Sequence, residues 1–437
     1  MSKTLATKRQ SMDESLEVSS FMVLKRASIQ VRRINVLIGR QANGKSLIAK
    51  LVYFFRRIPN QFFDAIKDQL SKRDFDKIIL RDFEGRFPRY AWEGSTFELK
   101  YESGGIQIVI KGIKKASGKT MLSIDYSDSL IKLFNSKKRA YAKRLEEYNL
   151  DEHPRRRLTN YQSQVMYEAV VDPIKQGEHG RFFSSSVFVP ASRSFFANLQ
   201  KNIFTFMASN LDIDPFLKEF GSLYETSKRY YRGAYFPRKP SHLADELDRS
   251  IESIIAGKYE FDDDQDWIAT KGSRVNLVNA SSGQQEALPM LLTLAVWPFI
   301  RGDSDGSMFF IEEPEAHLFP TSQSRIVSML TALYVNLNVG FFVTTHSPYI
   351  LSSLNNNILA GDVKSKGRIT DSEFLELSGG GYPVLFDDVA AYTISNGIAK
   401  SISDPEFRML GAEVLDEVSD HFQEVMSNLL QRDGTPN

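Results

Sequence analysis

Short apolar runs in the last third of the chain alternate with helix-length segments of mixed polarity. The runs at 308–311 and 340–345 are almost continuously apolar, which is typical of strands buried on both faces. The segments 284–300, 321–336 and 348–354 have helical spacing. Strands that alternate with helices predict a parallel α/β sheet in this part of the chain.

The first third starts with polar residues 1–18, which predict a frayed terminus, and a strand is expected from Phe21. A second apolar strand, 34–38, leads into a helical segment, 46–55. Alternating apolar positions predict two further strands, at 97–101 and 106–110.

The middle of the chain is more polar and reads mainly as helix. Residues 131–160 hold nine Lys or Arg against four Asp or Glu, so this segment is locally basic. A strand at 186–190 restores core character, and 195–256 again reads as helices. The remaining segments predict a hairpin around an acidic turn at 258–280 and a long amphipathic helical region at 404–432.

Composition narrows the function classes. With 437 residues, of which 42% are hydrophobic and 25% charged, the chain has the composition of a globular protein. Its net charge of +1 does not produce the overall positive potential that is typical of a nucleic-acid-binding protein. The absence of cysteine excludes disulfides, thiol catalysis and Cys-ligated zinc. The longest apolar stretch, 287–300, contains two prolines and is too short to cross a bilayer, so a cytoplasmic protein without membrane contact is expected.

A phosphate-binding loop follows the strand 34–38. Residues 39–46 match G-x-x-x-x-G-K-[ST] at every fixed position. The glycines allow backbone N–H groups to face phosphate oxygens at the positive end of the next helix. We expect Lys45 on the β- and γ-phosphates and the Ser46 hydroxyl on Mg²⁺. The predicted nucleotide-binding residues are Gly39, Gln41, Ala42, Asn43, Gly44, Lys45 and Ser46.

An acidic cluster ends the apolar strand 308–311. Glu312 at the strand edge is predicted to hold Mg²⁺, directly or through water, and Glu313 to polarise the attacking water. This ranking rests on residue order. Glu315 is left open between a third participant and an acid at a helix N-terminus. The alternative for the whole cluster is a solvated acidic turn.

About 260 residues separate Lys45 from Glu312, so a large insertion must intervene. The stretch NASSGQQE (279–286) precedes the acidic strand, and VTTHSP (343–348) follows it. The four motifs in this order resemble the ATP-binding-cassette (ABC) ATPase superfamily in its soluble branch of structural-maintenance, DNA-repair and overcoming-lysogenization-defect-like proteins. EEPEAHLFP and THSPYIL are most similar to the last group, which includes ATPase subunits of anti-phage systems such as PARIS and Septu.

This resemblance implies an α/β fold, a P-loop ABC-ATPase head with a mixed β-lobe and a helical insertion. The predicted core is discontinuous, comprising 1–125 and 180–400. The basic helical insertion occupies 126–179, with an extension through 195–256 left open, and 401–437 form a C-terminal helical region.

The resemblance also implies roles for single residues. Ser281, Ser282 and Gly283, with Gln284 and Glu286, would contact a nucleotide on another subunit, so that a homodimer or higher homo-oligomer closes composite sites. The alternative is an ordinary serine cap of the following helix. His346 would contact the γ-phosphate, which makes Glu313 and His346 the catalytic pair. Arg193 would face the nucleotide or an adjacent subunit.

Two look-alike sequences carry no such role. Leu377–Gly381 resembles a transporter signature in letters but stands after His346, and we interpret it as a loop. His317 is assigned to the segment that joins neighbouring sites. The family's glutamine loop is not located, because Gln61, Gln69 and Gln107 are equally weak candidates.

The implied function is a Mg²⁺-dependent ATPase that controls a separate, nuclease-like effector protein in anti-phage defence. Two alternatives stay open: a DNA-binding repair ATPase that uses basic residues such as Arg155–Arg157, and an ATP-gated scaffold with little turnover. Nucleic acid is therefore an open partner, and ATP with Mg²⁺ are the expected cofactors.

Overall fold

The computed structural model describes residues 14–150, 161–199, 213–232, 241–301 and 306–411. Its strands are β1 (Glu14–Phe21), β2 (Leu24–Gln30), β3 (Ile34–Ile38), β4 (Phe97–Ser103), β5 (Ile106–Lys114), β6 (Thr120–Tyr126), β7 (Ser186–Val189), β8 (Lys258–Asp262), β9 (Gln265–Thr270), β10 (Ser273–Asn276), β11 (Met308–Glu312), β12 (Gly340–Thr345), β13 (Val389–Ser395), β14 (Ile398–Ser401), β15 (Ser403–Asp404) and β16 (Met409–Leu410).

The α-helices are α1 (Lys45–Lys67), α2 (Lys72–Arg86), α3 (Asp128–Leu150), α4 (Tyr161–Met166), α5 (Asp172–Lys175), α6 (Phe195–Leu199), α7 (Pro215–Arg232), α8 (Ser241–Ile254), α9 (Ser282–Arg301), α10 (Pro320–Leu337), α11 (Pro348–Ser365) and α12 (Asp371–Ser378). None of these described helices has the length and apolar character needed to cross a membrane.

One sheet of eleven strands organises the molecule, in the order β6-β5-β4-β1-β2-β14-β13-β3-β12-β11-β7. The strands β13, β3, β12, β11 and β7 run parallel to one another. The strands β6, β5, β4, β1 and β2 are antiparallel, and the β13–β14 hairpin joins the two halves. The α/β class with a mixed β-lobe is confirmed.

The parallel strands are buried on both faces, as their continuous apolar runs predict. Alternate residues enter two cores: Leu37, Phe310 and Phe342 pack on the α1 side, whereas Val36, Ile311 and Val343 pack on the opposite side with α9, α10 and α11. The apolar stretch 287–300 lies in α9, which is buried nearly all round.

The N-terminal prediction is wrong from residue 14 onward. Glu14–Phe21 form β1, and the strand expected from Phe21 is interrupted by a turn at 22–23. Glu14 is fully buried because its carboxylate accepts hydrogen bonds from Arg56 (Nε–Oε1 2.7 Å) and from the Tyr101 hydroxyl (2.8 Å). The helix α1 also continues beyond its predicted end at Phe55 as far as Lys67, with Arg56 neutralised inside the core by this contact and with Ile58, Phe62 and Ile66 buried.

Two other segments differ from expectation. The predicted hairpin around the acidic turn is present as β8 and β9, and a third strand, β10, extends it. Asp266 is buried, with its carboxylate bound by the Tyr259 hydroxyl at 2.6 Å. The predicted C-terminal helix is wrong for 401–411, where β15 and β16 form a small hairpin. Residues 412–437 lie outside the described part of the chain, as do Arg155–Arg157.

Candidate nucleotide site

Three parallel strands end together at one edge of the sheet. Across the β11–β12 pair Glu312 lies opposite Thr344, and across the β12–β3 pair Thr345 lies opposite Ile38. This register places the loop after β3, the carboxylates after β11 and the histidine after β12 beside one another. The carboxyl edge of parallel strands is where α/β proteins bind ligands.

The loop 39–45 has the backbone conformation that its glycines permit. Gly39 (φ +147°) and Gly44 (φ +97°) lie in the left-handed region, and a Cβ on Gly44 would stand 2.8 Å from Leu24 Cδ2. Asn43 donates its amide Nδ2–H to the carbonyl of Ile394 at 3.0 Å, which ties the loop to β13. Gly44 is the N-cap of the 23-residue helix α1, so the loop presents N–H groups at its positive end.

Lys45 is buried beneath this loop. Its ammonium donates to the carbonyls of Gly39 and Arg40, both at 2.7 Å, and lies 3.3 Å from His346 Nδ1. Burial lowers the pKa of Lys45, and the carboxylates of Glu313 and Glu315 partly offset that effect. An ammonium held in this way is well placed for a phosphate anion.

His346 joins the lysine to the second carboxylate. Its Nε2 atom lies 3.1 Å from Glu313 Oε1, on the opposite side of the ring from Lys45. Because an ammonium can only donate, the geometry assigns an unprotonated Nδ1 and an Nε2–H that donates to Glu313. Lys45, His346 and Glu313 thus form one hydrogen-bonded chain across the three strand ends.

Glu315 holds the backbone of His346. Its Oε1 atom accepts from the Thr345 hydroxyl and from the His346 N–H, both at 2.7 Å. The carboxylate is buried, and α10 begins only at Pro320, so the helix N-terminus interpretation is wrong. Sequence reasoning missed this positioning role, because nothing local shows which backbone a carboxylate will meet.

Glu312 is suited to a magnesium ion. Its side chain is buried, its Oε2 accepts from the Ala191 N–H at 3.2 Å, and its Oε1 has no hydrogen-bond partner among the described residues. Burial raises the pKa of Glu312, opposed by the charge of Lys50, the Ala191 N–H and the Ser46 hydroxyl. An unpaired carboxylate oxygen near a serine hydroxyl is the donor set that Mg²⁺ takes together with phosphates and water.

Within the described ranges, no group of three or more His, Asp or Glu residues is arranged to hold a metal ion.

Arg193 is a structural residue, which corrects the expectation that it faces nucleotide or another subunit. It is fully buried and donates to the carbonyls of Pro190 (2.8 Å), Glu312 (2.7 Å) and Glu313 (3.0 Å). Burial lowers the pKa of Arg193, although Glu286 and the other carboxylates favour its charged form. The guanidinium fixes the end of β11 and with it both glutamates.

Glu286 is engaged within the chain instead of being turned toward a nucleotide. Its carboxylate accepts from the N–H of Arg193 (2.9 Å) and from the Ser194 hydroxyl (2.6 Å). Gln284 is also used internally, since its Nε2 donates to the carbonyl of Ile255 at 2.7 Å. These contacts give both residues roles in placing α9.

The start of α9 is capped and exposed. Ser281 Oγ accepts from the Gln284 N–H (3.3 Å), and Gln284 Oε1 accepts from the Ser281 N–H (3.1 Å), which is the reciprocal cap of the alternative interpretation. Ser281 and Ser282 are exposed, whereas Gly283 is buried against the carbonyl of His317. A capped terminus with exposed serines can still meet an anion from outside the subunit.

None of Gln61, Gln69 and Gln107 lies in a loop beside the nucleotide site. Gln61 donates to Asp82 (2.9 Å), Gln69 donates to the carbonyl of Ile66 (2.9 Å), and Gln107 lies in β5. Leu377 and Ser378 end α12 instead of lying in a loop, and Gly379 follows as its left-handed cap.

One protein-family model matches part of the chain. Residues 184–351 match the family model described as AAA ATPase domain, a span that contains both glutamates and His346 but not the phosphate loop. No curated protein matches the sequence.

Solved structures similar to the chain include heads of SMC proteins. The SMC head domain from Thermotoga maritima is 11% identical, with a TM-score of 0.35, and the match covers 90% of this chain and 98% of that one. A Pyrococcus furiosus Smc head with an extended coiled coil, bound to the C-terminal domain of ScpA, is 12% identical, with a TM-score of 0.37 and coverage of 94% and 98%. A Pyrococcus yayanosii Smc head with a coiled coil and joint is 11% identical, with a TM-score of 0.39 and coverage of 93% and 99%.

Proposed function

We propose that the protein is a Mg²⁺-dependent ABC-type ATPase whose nucleotide lies on the loop 39–46. The observation that carries the proposal is the hydrogen-bonded chain of Lys45, His346 and Glu313 at the ends of three adjacent strands. A phosphate-binding loop, a buried metal-binding carboxylate and a second carboxylate beside a histidine are the parts that phosphoryl transfer to water requires.

Glu312 and Glu313 have different environments, which fit them for different roles. Glu312 is buried beside Ala191, with Oε1 unpaired, whereas the Glu313 side chain is 37% exposed. Ser46 and Glu312 would hold Mg²⁺, which when bound neutralises phosphate charge. The partly exposed Glu313 would then be the base that orients the attacking water, and its exposure supports the assignment made from residue order.

His346 occupies a position that can respond to the γ-phosphate. It is partly exposed between Lys45 and Glu313, and its backbone is fixed by Glu315. A phosphate oxygen that draws Lys45 away from the loop carbonyls would also change the partner of His346 Nδ1. The histidine would then transmit the presence of the γ-phosphate to Glu313.

We further propose that two copies of the chain close each site. Ser281 and Ser282 at the start of α9 are exposed. Two aromatic side chains at the starts of other helices are also exposed: Phe319, just before α10, by 73%, and Tyr349, in the first turn of α11, by 53%. Exposed aromatics at helix starts are the type of side chain enriched in protein interfaces. A homodimer or higher homo-oligomer would place the serine N–H groups against the partner's nucleotide.

The ATPase would control a separate, nuclease-like effector protein in anti-phage defence. This role is supported by the resemblance of EEPEAHLFP and THSPYIL to defence ATPases. The test is purification of the tagged protein from its native host, followed by identification of co-eluting proteins and a phage-plating assay. If cells with Lys45→Met lose protection against phage, the role is supported. If phages plate with the same efficiency on the wild-type strain and on a strain that lacks the gene, the role is ruled out.

The activity itself is tested by ATP hydrolysis and ATP binding measured on the same variant. Glu313→Gln should keep nucleotide affinity and lose hydrolysis by about 10²–10⁴-fold, because it removes only the base. Glu376→Gln on α12 is an exposed control and should behave like wild type. Hydrolysis at the wild-type rate in Glu313→Gln would exclude the assigned base, and no hydrolysis by wild type would favour the scaffold alternative.

A further inference from the structure

Lys50, one helical turn after Ser46 on α1, forms an ion pair with Asp214, and no motif in the sequence marks either residue. Lys50 Nζ lies 2.8 Å from Asp214 Oδ2. Lys50 follows Ser46 by four residues on α1, so the two side chains lie on the same helix face. Lys50 therefore lies one helical turn from the Ser46 hydroxyl that is proposed to hold Mg²⁺, and Asp214 is bound to it.

Asp214 also fixes the start of α7. Its Oδ1 accepts from the Phe216 N–H at 2.7 Å, and Lys50 Nζ lies 4.7 Å from the centroid of the Phe216 ring. One carboxylate thus binds a lysine of α1 with one oxygen and the first turn of α7 with the other. A shift of Lys50 would therefore move Asp214 and, through it, the first turn of α7.

A second charged contact joins the same two helices. Glu219, in the first half of α7, is bound by Arg57 Nη2 (2.9 Å) and by the Tyr53 hydroxyl (3.3 Å) of α1, and also by Arg86 of α2. The side chains of Arg57 and Glu219 are only partly exposed, which limits screening by water. The N-terminal half of α7 is therefore attached to the phosphate-loop helix at two points.

The other half of α7 is attached to α9. Trp297 Nε1 donates to Ser227 Oγ at 3.0 Å, which joins α7 to α9. Tyr224 donates to the buried carboxylate of Asp266 at 3.1 Å, which joins α7 to the strand β9. The helix that Trp297 belongs to begins at Ser282, at the predicted contact with a second subunit. A continuous path of described contacts thus runs from Lys50 through α7 to α9.

We propose that the Lys50–Asp214 pair, held in place at the start of α7, sets the affinity of the divalent-cation position: Asp214 is a positioning residue that favours the cation, and Lys50 disfavours it. The inference rests on the proposed function, because the cation position is that of Ser46 and Glu312. A dication beside Glu312 is attracted by Asp214 and repelled by Lys50, and it competes with Lys50 for the same carboxylates. Since coupling is reciprocal, a change in the pair must change cation affinity.

The test is Mn²⁺ affinity, measured by electron paramagnetic resonance with a non-hydrolysable ATP analogue at fixed concentration. Asp214→Asn should weaken Mn²⁺ binding about fivefold, and Lys50→Met should strengthen it about fivefold. Opposite signs are diagnostic, because damage to a merely structural ion pair disturbs the site in the same direction from either side. Equal signs, or no change in either variant, would overturn the coupling.

A matched pair controls for the loss of an ion pair as such. Lys72 and Asp76 on α2 are also 2.8 Å apart, and Lys72→Met and Asp76→Asn should leave Mn²⁺ affinity unchanged. Tighter Mn²⁺ binding in Lys50→Met is decisive even by itself, because structural damage weakens binding, whereas weaker binding in Asp214→Asn counts only beside it. If Lys50→Met does not fold, Lys50→Gln takes its place. If wild type binds neither analogue nor Mn²⁺, the proposed function fails and the coupling with it. If wild type binds both and the variants shift together, only the coupling fails.

Discussion

The carbonyl oxygen of His317 lies 2.7 Å from the position that a Cβ atom on Gly283 would occupy. The turn after the acidic strand is thus in direct backbone contact with the first turn of α9. Any movement of Glu313 that shifts this turn must be accommodated by the helix that carries Ser281 and Ser282. If the proposed function holds, this contact would connect the hydrolytic site of one subunit to the surface proposed to close the neighbouring site.

In Gly283→Ala, the added methyl group should push the turn that contains His317 away from the first turn of α9. We expect a loss of about 1–3 kcal/mol in the free energy of unfolding, because the added methyl group overpacks against backbone. Hydrolysis should fall while nucleotide affinity stays the same. The measurement is urea denaturation together with ATP turnover.

Gly85→Ala is the control for that substitution. Gly85 lies in α2, and nothing stands within 4 Å of its added Cβ, so alanine should stabilise the protein by up to about 1 kcal/mol. A stable, fully active Gly283→Ala protein would show that the contact does not transmit movement.

Glu312→Gln should make the protein more stable at neutral pH, although it removes a metal-binding oxygen. Burial raises the pKa of Glu312 in the folded state, so the folded state keeps its proton at pH values where the unfolded chain has lost it. Unfolding free energy of the wild type therefore falls as pH rises from the usual carboxyl range through the raised pKa, whereas the glutamine does not titrate.

The measurement for this substitution is the melting temperature of both proteins from pH 4 to pH 8. The two curves should coincide at the acid end and separate as pH rises, with the variant above. A variant that melts below wild type at pH 8 would contradict the assigned burial cost.

Glu315→Ala should disturb catalysis through His346. It leaves the Thr345 hydroxyl and the His346 N–H without their acceptor, at a cost of about 1–3 kcal/mol in stability. Hydrolysis should drop further than nucleotide affinity. Glu315→Gln keeps an acceptor oxygen and should recover most of the lost turnover, so equal defects in the two variants would argue against a positioning role.

Arg193→Ala should be among the more destabilising substitutions in the chain. It removes the donor shared by three backbone carbonyls and leaves Glu286 without its buried partner, for a loss of about 3–5 kcal/mol in urea denaturation. Arg274→Ala, which breaks two exposed ion pairs, should cost no more than about 1 kcal/mol. A mild effect at Arg193 would show that the end of β11 is held by other contacts.

The parts of the site that sequence could predict are those encoded locally. The loop 39–46 has a fixed spacing, and the strand that ends at Glu312 is a continuous apolar run, so both were placed correctly at the sheet edge. The parallel order of the strands then brought His346 between them.

The parts that sequence missed depend on partners far away in the chain. Glu14 lies in a polar segment and is buried only because Arg56 and Tyr101 neutralise it across the core. Arg193 is a single basic residue whose carbonyl partners after β7 and β11 exist only in the folded chain. Polar residues whose environment is set by tertiary contacts leave no periodic pattern, so their roles required the structure.

Nucleotide binding by Lys45→Met tests the proposed site most directly. Affinity for a fluorescent ATP analogue with Mg²⁺ is measured by equilibrium titration of wild type, Lys45→Met and the exposed control Lys67→Met at the other end of α1. Loss of a charge-assisted contact to phosphate predicts at least about tenfold weaker binding for Lys45→Met and no change for Lys67→Met. A folded Lys45→Met protein that binds the analogue as tightly as wild type would contradict a nucleotide site on the loop 39–46.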